Sequence, residues 1–211
     1  CFAQQQIAKV ESCMAAWAVN DERIALLFQL TGVGLVTAVT VLAAVGDITR
    51  FPDAEHLVGY SGLGARVHDS GLTSRSGGIT KAGRRDLRAV LVEAAQIGVI
   101  HDPRWKAELE RLAPHTGRNK AIVAIARKML VIIWHILSKH QADKKLDLER
   151  LARKFYEFAY SVGKANWSEC TSVSAFIRHK LDEAGVGRDM TSFTYGHRHI
   201  VLPSSTLPKS I

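Results

Sequence analysis

The sequence predicts a mainly α-helical protein that carries one Gly/Ser/Arg-rich loop or short hairpin. Apolar residues recur at helical spacing along most of the chain, most clearly between residues 119 and 140. Residues 61–85 lose that spacing and concentrate glycine, serine and arginine. With 211 residues, the chain is long enough for a hydrophobic core and for one or two domains.

The first 30 residues favour two helices. Ile7, Val10, Met14 and Trp17 fall near helical spacing. The polar pair Asn20-Asp21 is a suitable cap for a second helix that ends near residue 30. Because the chain begins with Cys1 rather than methionine, we expect it to be part of a longer protein whose first helix starts upstream.

A Gly-x-Gly turn follows, with Gly32 and Gly34 inside the segment LTGVG, before the small-residue run LVTAVTVLAAV. Two helices around such a turn form a helix-hairpin-helix signature, in which glycine permits close backbone approach. The N–H groups at the start of the second helix would then face a phosphate. A plain turn between two helices fits the same residues, and the β-branched residues in the run are also compatible with a strand.

The remaining elements are predicted in order along the chain. Pro52 near a first turn indicates a short helix over 51–58, and His101-Asp102-Pro103 ends a helix that begins at Arg85. Residues 114–117 are expected to connect the next two helices, and residues 163–211 to be irregular apart from one helix. The predicted helices are 51–58, 85–100, 105–112, 119–140, one ending near 162, and 173–184.

The charge balance points to a polyanionic partner. The formal net charge is +8 and the pI is about 9.6, which favours nucleic acid first and an anionic membrane second. A merely soluble basic protein is the plain alternative. The three cysteines are widely spaced, so neither a zinc knuckle nor a disulfide framework is predicted. The longest apolar run, 35–45, is too short to span a bilayer.

Ser70 is the candidate nucleophile. It precedes Gly71 in a glycine-rich segment, and Arg66 and Arg75 lie nearby in the sequence. Guanidinium groups match phosphate geometry and stabilise the added charge of a pentavalent transition state. Serine is a weak nucleophile without activation, and a serine that caps a turn is the simple alternative. The other candidate serines in the segment are Ser61, Ser74 and Ser76.

A second cluster of cations, Lys81, Arg84, Arg85 and Arg88, brackets the start of the helix at 85. Cations at a helix N-terminus oppose the helix dipole, so stability does not explain them and a polyanion would. A solvated charged face is the alternative. Binding through such residues should weaken steeply with salt. No carboxylate spacing indicates a metal site, so we assign no metal ligand to this chain.

These segments together resemble the C-terminal transposase domain of one insertion-sequence family, numbered one-ten and also called DEDD transposases. The resemblance covers residues 24–138. It is carried by the Gly-x-Gly segment through YSGL, the DSG at 69–71, GGITKAGRRDLRAVLVEAA and NKAIVAIARKML. It divides the chain into the end of a coiled-coil-like linker (1–24), a catalytic-serine domain (25–140) and a C-terminal helical extension with a tail (141–211).

The resemblance implies a serine transposase guided by RNA. Ser70 would attack a DNA phosphodiester, form a phosphoserine link and release a 3′-hydroxyl. An N-terminal RuvC-like domain, absent from this chain, would bind Mg²⁺, and a bridge RNA would pair with donor and target DNA. A homo-oligomer, either dimer or tetramer, and a cytoplasmic, nucleoid-associated location in a prokaryote are expected, without membrane attachment.

Two positions depart from the family pattern. The proline that often follows Gly-Leu-x is Ala65 here, and the asparagine that often follows Lys-x-Gly is Arg84. Neither change removes the nucleophile. Two other functions remain possible from the sequence: a non-catalytic helix-hairpin-helix module that binds nucleic acid, and a dimerisation domain with the 119–140 helix as interface.

Overall fold

We describe a computed structural model of the chain, which covers residues 2–70, 73–143, 145–167 and 170–208. For residues 66–70 and 73–77 it describes the backbone alone. The chain divides into two compact units. The central unit comprises Thr31–Val33 and Thr40–Lys139, and the terminal unit comprises Cys1–Leu30, Gly34–Val39 and His140–Ile211.

The described part of the chain is mainly helical, as predicted. The first three helices are α1 (Phe2–Ala18), α2 (Glu22–Phe28) and α3 (Leu35–Val45). They are followed by a short 3-10 helix (Ile48–Arg50), α4 (Ala54–Ser61), the hairpin β1 (Ala65–Ser70) and β2 (Thr73–Ile79), α5 (Arg85–His101), α6 (Pro103–Thr116) and α7 (Arg118–Lys139). The last elements are α8 (Leu148–Val162), a 3-10 helix (Lys164–Asn166), α9 (Val173–Glu183), β3 (Ser192–Tyr195) and β4 (Arg198–Val201).

Helices α5, α6 and α7 form the core of the central unit. Helix α7 buries Ile125, Met129 and Ile133, as the predicted apolar stripe requires, and α5 buries Leu87 and Leu91. Helix α7 has the length and composition of a membrane span, but this is weak evidence. Its apolar face packs within the unit, as expected for the core helix of a globular domain.

The terminal unit is built around an aromatic cluster. The ring centroid of Phe158 lies 5.3 Å from that of Phe28 in an edge-to-face arrangement and 6.0 Å from that of Phe176. These contacts join α2, α8 and α9 by the geometry that aromatic pairs prefer. The asparagine-aspartate cap predicted before α2 is confirmed, because the Asp21 carboxylate accepts a hydrogen bond from the Arg23 N–H at 3.0 Å.

Helix α4 begins and ends three residues later than predicted, and two further local features differ from the sequence prediction. Helix α6 continues through Pro114, and its last turn is closed by the Thr116 hydroxyl, which donates to the Leu112 carbonyl at 3.0 Å. In the region predicted to be irregular, β3 pairs with β4 around Gly196, whose φ is +58°. Four-residue strands give too short an alternation to be detected from sequence.

Gly32 has a structural reason to be glycine. Its φ is +91°, and a Cβ atom there would lie 2.1 Å from the carbonyl oxygen of Ala94 in α5. The turn therefore packs directly against the α5 backbone, which side chains larger than hydrogen would prevent. Gly34, in contrast, is exposed, and a Cβ atom there would meet nothing within 4 Å.

The ammonium group of Lys154 is held at the end of α2. Its Nζ donates to the carbonyl oxygens of Phe28 at 2.8 Å and Leu30 at 2.6 Å, at the end of α2. Burial, reinforced by the charge of Arg150, lowers the pKa of Lys154 to about 7. A neutral amine still has two N–H donors, which is the number that the two carbonyls require.

We predict that Gly32→Ala destabilises the chain by about 2–4 kcal/mol, because it combines a strained φ with a backbone clash. Gly34→Ala is the matched control and should change the free energy of unfolding by less than about 0.5 kcal/mol. Urea denaturation of both variants measures the difference. Equal unfolding free energies for the two variants would contradict the packing described for Gly32.

We also predict a pH dependence from Lys154. Because its folded pKa is lowered, the unfolded chain binds more protons between pH 7 and the ordinary lysine range, so stability rises with pH there. The unfolding free energy of the wild type minus that of Lys154→Met should therefore increase from pH 6 to pH 9. Urea titrations at several pH values measure it, and a pH-independent difference would show that the folded pKa is not lowered.

Candidate nucleic-acid interface

The end of α4 and the segment that precedes α5 are joined by backbone hydrogen bonds. The N–H groups of Thr80, Lys81 and Arg84 donate to the carbonyls of Gly64 (2.9 Å), Gly62 (3.1 Å) and Tyr60 (3.0 Å). Between these two segments the chain leaves and returns as the β1–β2 hairpin. We call this joined region, residues 60–64 and 80–84, the hairpin base.

Two glycines permit this close approach. Gly62 ends α4 with a φ of +72°, and a Cβ atom there would lie 2.8 Å from the Ala82 carbonyl oxygen. Gly83 has a φ of +132°, and its Cβ atom would lie 2.2 Å from the Tyr60 carbonyl oxygen. The glycines of YSGL and KAGRR therefore have a local role, which is to lock the hairpin base.

Ser70 is the last residue of β1. It pairs with Thr73 of β2, and Ala65 pairs with Ile79 near the hairpin base. At the usual rise of a strand, Ser70 lies about 17 Å along the strand from Ala65. Gly71, the other half of the predicted Ser-Gly pair, lies outside the described residues.

The remaining predicted residues of the Ser70 cluster lie on the same two strands. Arg66 is in β1, while Arg75 is in β2 and pairs with His68. Ser74 and Ser76, the alternative nucleophiles, are also in β2 and pair with Asp69 and Val67. Both arginines of the cluster, and three of the four candidate serines, therefore lie on the hairpin.

Ser61 is a structural serine. It is fully buried, its hydroxyl donates to the Val58 carbonyl at 2.7 Å, and it accepts a hydrogen bond from the Leu63 N–H at 3.2 Å. A hydroxyl that is buried and bonded in this way is not available to an external phosphate. Ser61 therefore caps the end of α4, which is the role that the sequence left open for Ser70.

The four cations of the predicted basic turn have different environments. The guanidinium of Arg84 donates to both carboxylate oxygens of Asp86, at 2.9 and 2.5 Å. This ion pair, aided by Tyr60, raises the pKa of Arg84, and it holds the pKa of Asp86 well below its usual range. Arg88 is half-buried and donates to the Ser61 carbonyl at 3.0 Å. The side chains of Lys81 and Arg85 are exposed.

The presence of Arg84 and Arg88 in the basic turn is therefore explained in part by their partners within the chain. Arg84 compensates Asp86 in the first turn of α5, and Arg88 fixes the chain at the end of α4. Lys81 differs, because it is exposed and has a φ of +55°, which is uncommon outside glycine. In this conformation its N–H donates to the Gly62 carbonyl at 3.1 Å.

A cavity of about 640 Å³ lies between the hairpin base and α7. Its cations are Lys81, Lys120 and Arg127, and none of the described residues that line it is acidic. The remaining lining residues are Leu63, Ala65, Gly78, Ile79, Asn119, Val123 and Ala124. The cavity therefore combines an apolar wall with a positive rim.

Sequence reasoning missed Lys120 and Arg127, although a signal for them was present. They are seven residues apart on α7, so that two helical turns place them on one face, away from the buried stripe. No acidic residue occupies the first turn of α7. The neighbouring Lys128 differs because its Nζ is paired with the Glu108 carboxylate at 2.6 Å.

The two glycines predicted to contact nucleic acid at the Gly-x-Gly turn have different environments. Gly32 lies against α5, whereas Gly34 is exposed just before the first turn of α3. Among the residues that the structure describes, no group of three or more His, Cys, Asp or Glu side chains converges. The described residues therefore offer no all-protein cluster of ligands for a Mg²⁺ ion.

Comparison with known proteins gives a consistent result. Residues 24–110 match the family model described as Transposase IS116/IS110/IS902 family. The transposase for insertion sequence element IS1111A of Coxiella burnetii is 33% identical over 141 residues, which cover 65% of this chain and 39% of that protein. The pilin gene-inverting protein of Moraxella bovis is 30% identical over 131 residues, or 60% of this chain and 40% of that protein.

A probable family 20 transposase of Pseudomonas aeruginosa is 31% identical over 143 residues, which cover 64% of this chain and 41% of that protein. The chain thus spans about two fifths of the length of the curated relatives it matches. The resemblance stated from the sequence is confirmed, and residues 24–110 are the part that matches the family model.

We predict that Asp86→Asn strengthens binding to duplex DNA. The substitution removes the ion pair that occupies Arg84, so we expect about two- to fivefold tighter binding and a steeper salt dependence, by up to about 0.9 in the logarithmic slope. Fluorescence anisotropy at several salt concentrations measures both. Glu93→Gln removes the same charge farther along α5 and is the control. Equal effects of the two variants would mean that net charge alone acts.

Proposed function

We propose that this chain is the DNA-rearranging part of a transposase or recombinase, in which Ser70 attacks a DNA phosphodiester. The match of residues 24–110 to a transposase family supports the reaction class. The observation that carries the proposal is the placement of Ser70 at the end of a β-hairpin whose base borders a cavity with three cations and no described acidic residue. Such a surface suits a phosphate backbone.

In the proposed reaction the Ser70 hydroxyl loses its proton and Oγ bonds to phosphorus. The bond between phosphorus and the 3′-oxygen breaks, and that oxygen takes up a proton and leaves as a 3′-hydroxyl. The product is a phosphoserine whose phosphate remains bonded to the 5′-oxygen of the downstream fragment. In the second step, a 3′-hydroxyl attacks the phosphoserine of the exchanged strand and releases the serine, so that no phosphodiester is lost overall.

The cations have separate roles in this proposal. Arg66 on β1 and Arg75 on β2 belong to the same hairpin as Ser70, where they would neutralise the phosphate under attack. Lys81 and Arg85 are exposed near the hairpin base and would hold the strand through its phosphates. Arg84 and Arg88 would act mainly through their bonds to Asp86 and Ser61, and Gly32 through its contact with α5.

The remaining partners are part of the proposal on the strength of the resemblance. A RuvC-like domain outside this chain would hold Mg²⁺, a bridge RNA would choose the target, and a dimer or tetramer would bring two duplexes together. The described residues of this chain lack a carboxylate cluster for Mg²⁺. We therefore assign the ion no step at Ser70.

The proposal predicts a covalent protein–DNA adduct that depends on Ser70. The full-length protein is incubated with its RNA, Mg²⁺ and end-labelled target DNA, and the products are separated on a denaturing gel. The wild type should give a labelled adduct, and Ser70→Ala should abolish it, because alanine has no oxygen to bond to phosphorus. Ser74→Ala and Ser76→Ala are the matched controls on β2 and should retain the adduct.

Two results would redirect the assignment. An adduct that persists in Ser70→Ala and disappears in Ser74→Ala or Ser76→Ala moves the nucleophile to β2. Cleavage without an adduct in any variant indicates hydrolysis by another domain, which leaves this chain as a helix-hairpin-helix module that binds nucleic acid. The dimerisation alternative is disfavoured already, because α7 buries its apolar face within the central unit.

A further inference from the structure

The cavity beside the hairpin base has two chemically distinct parts. Leu63, Ile79 and Val123 supply an apolar wall, and Lys81, Lys120 and Arg127 supply a positive rim. Its volume of about 640 Å³ falls within the range of cavities that bind organic ligands. The cations are exposed on the outside of the unit, whereas Leu63 is fully buried and Val123 is half-buried.

This combination is suited to one form of nucleic acid. A duplex presents phosphates to a protein surface but keeps its base faces stacked, so that it would leave the apolar wall uncovered. An unpaired strand presents phosphates and base faces together, and both contribute to binding. A purely electrostatic surface would need the cations but not the apolar wall.

We propose that this cavity binds an unpaired nucleotide of a nucleic-acid strand. The base lies on Ile79 and Val123, whose side chains are half-buried, and the flanking phosphates lie on Lys81, Lys120 and Arg127. The inference rests on the proposed function, since it places the strand that leads to Ser70. It adds the requirement that this strand is opened near the hairpin base before or during the reaction.

The position of the cavity fixes how far the unpaired nucleotide lies from the reacting phosphate. Ala65 lines the cavity and Ser70 ends the same strand, about 17 Å farther on. A stacked strand advances about 3.4 Å for each nucleotide. For a strand that runs along the hairpin, the nucleotide in the cavity would be about five stacked nucleotides from the phosphate that Ser70 is proposed to attack.

Gly78 allows the cavity to be filled without disturbing the fold. It lines the cavity, it is exposed, and a Cβ atom there would meet nothing within 4 Å. Gly78→Leu thus places an isobutyl group where the base is proposed to lie. Gly59→Leu is the matched control, since Gly59 is exposed on α4, also has open space around its Cβ position, and does not line the cavity.

The test uses the 211-residue chain and three fluorescein-labelled probes: a 15-nucleotide oligo-dT, a 15-nucleotide oligo-rU and a 15-base-pair duplex. Anisotropy titrations give the dissociation constants at several salt concentrations. Gly78→Leu should weaken binding of at least one single-stranded probe about tenfold, with less than a twofold change for the duplex. Gly59→Leu should bind all three like the wild type, and both variants should keep the wild-type circular dichroism spectrum and urea midpoint.

A second set of variants tests the cations of the rim without filling the cavity. Lys120→Gln combined with Arg127→Gln should lower the logarithmic salt slope for the weakened single-stranded probe by about 1.4, because two phosphate contacts are lost. Lys128→Gln is the control on the same helix, since Lys128 is already paired with Glu108. The probe with the larger loss identifies DNA or RNA as the source of the unpaired nucleotide.

Wild-type affinity of Gly78→Leu for both single strands would overturn the proposal, and so would an equal loss for single strands and duplex. These results are separate from those for the nucleophile. Loss of the adduct in Ser70→Ala concerns the nucleophile, and loss of single-strand binding in Gly78→Leu concerns the cavity.

Discussion

The site depends on the close approach of two backbone segments at the hairpin base. Gly62 and Gly83 let the segment before α5 lie directly on the end of α4, where a Cβ atom would be 2.8 and 2.2 Å from carbonyl oxygens of the opposing segment. This contact fixes where the hairpin leaves the helical unit, and it sets the position of Lys81 against α7. An isolated two-stranded hairpin is marginal in water, so its attachment to the packed helices matters for its orientation.

Some of the surface cations are paired with carboxylates, whereas others are not. Arg84, Arg111 and Lys128 each have a carboxylate within 2.7 Å, and such pairs reduce the field that reaches a distant phosphate. The cavity beside the hairpin base differs because three cations border it and no described lining residue is acidic. The net charge of +8 does not show where the positive potential is concentrated. The cations around the cavity are therefore a better guide to function than the net charge.

The sequence predicted most helices and a loop or short hairpin at 61–85, because apolar spacing and glycine-rich turns are local signals. It did not predict which cations are neutralised, since the Arg84–Asp86 pair depends on side-chain geometry, and the Arg88–Ser61 contact joins residues 27 positions apart. Periodicity also failed to indicate burial in α1, where Ile7, Val10 and Trp17 are more than half exposed. The cavity could not be predicted, because it forms only when α7 packs beside the hairpin base.

The separation of Ser70 from the packed helices bears on its proposed role as the nucleophile. A nucleophile must be held within a fraction of an ångström of its productive position, and sites on rigid elements achieve this better than those on extended ones. Ser70 is about 17 Å along a two-stranded ribbon from the hairpin base. The helical unit can fix the direction of the strand but not the final position of the hydroxyl. If Ser70 has the role proposed above, a composite site would satisfy this requirement, with the DNA or a second domain completing the surroundings of Ser70 when the complex assembles.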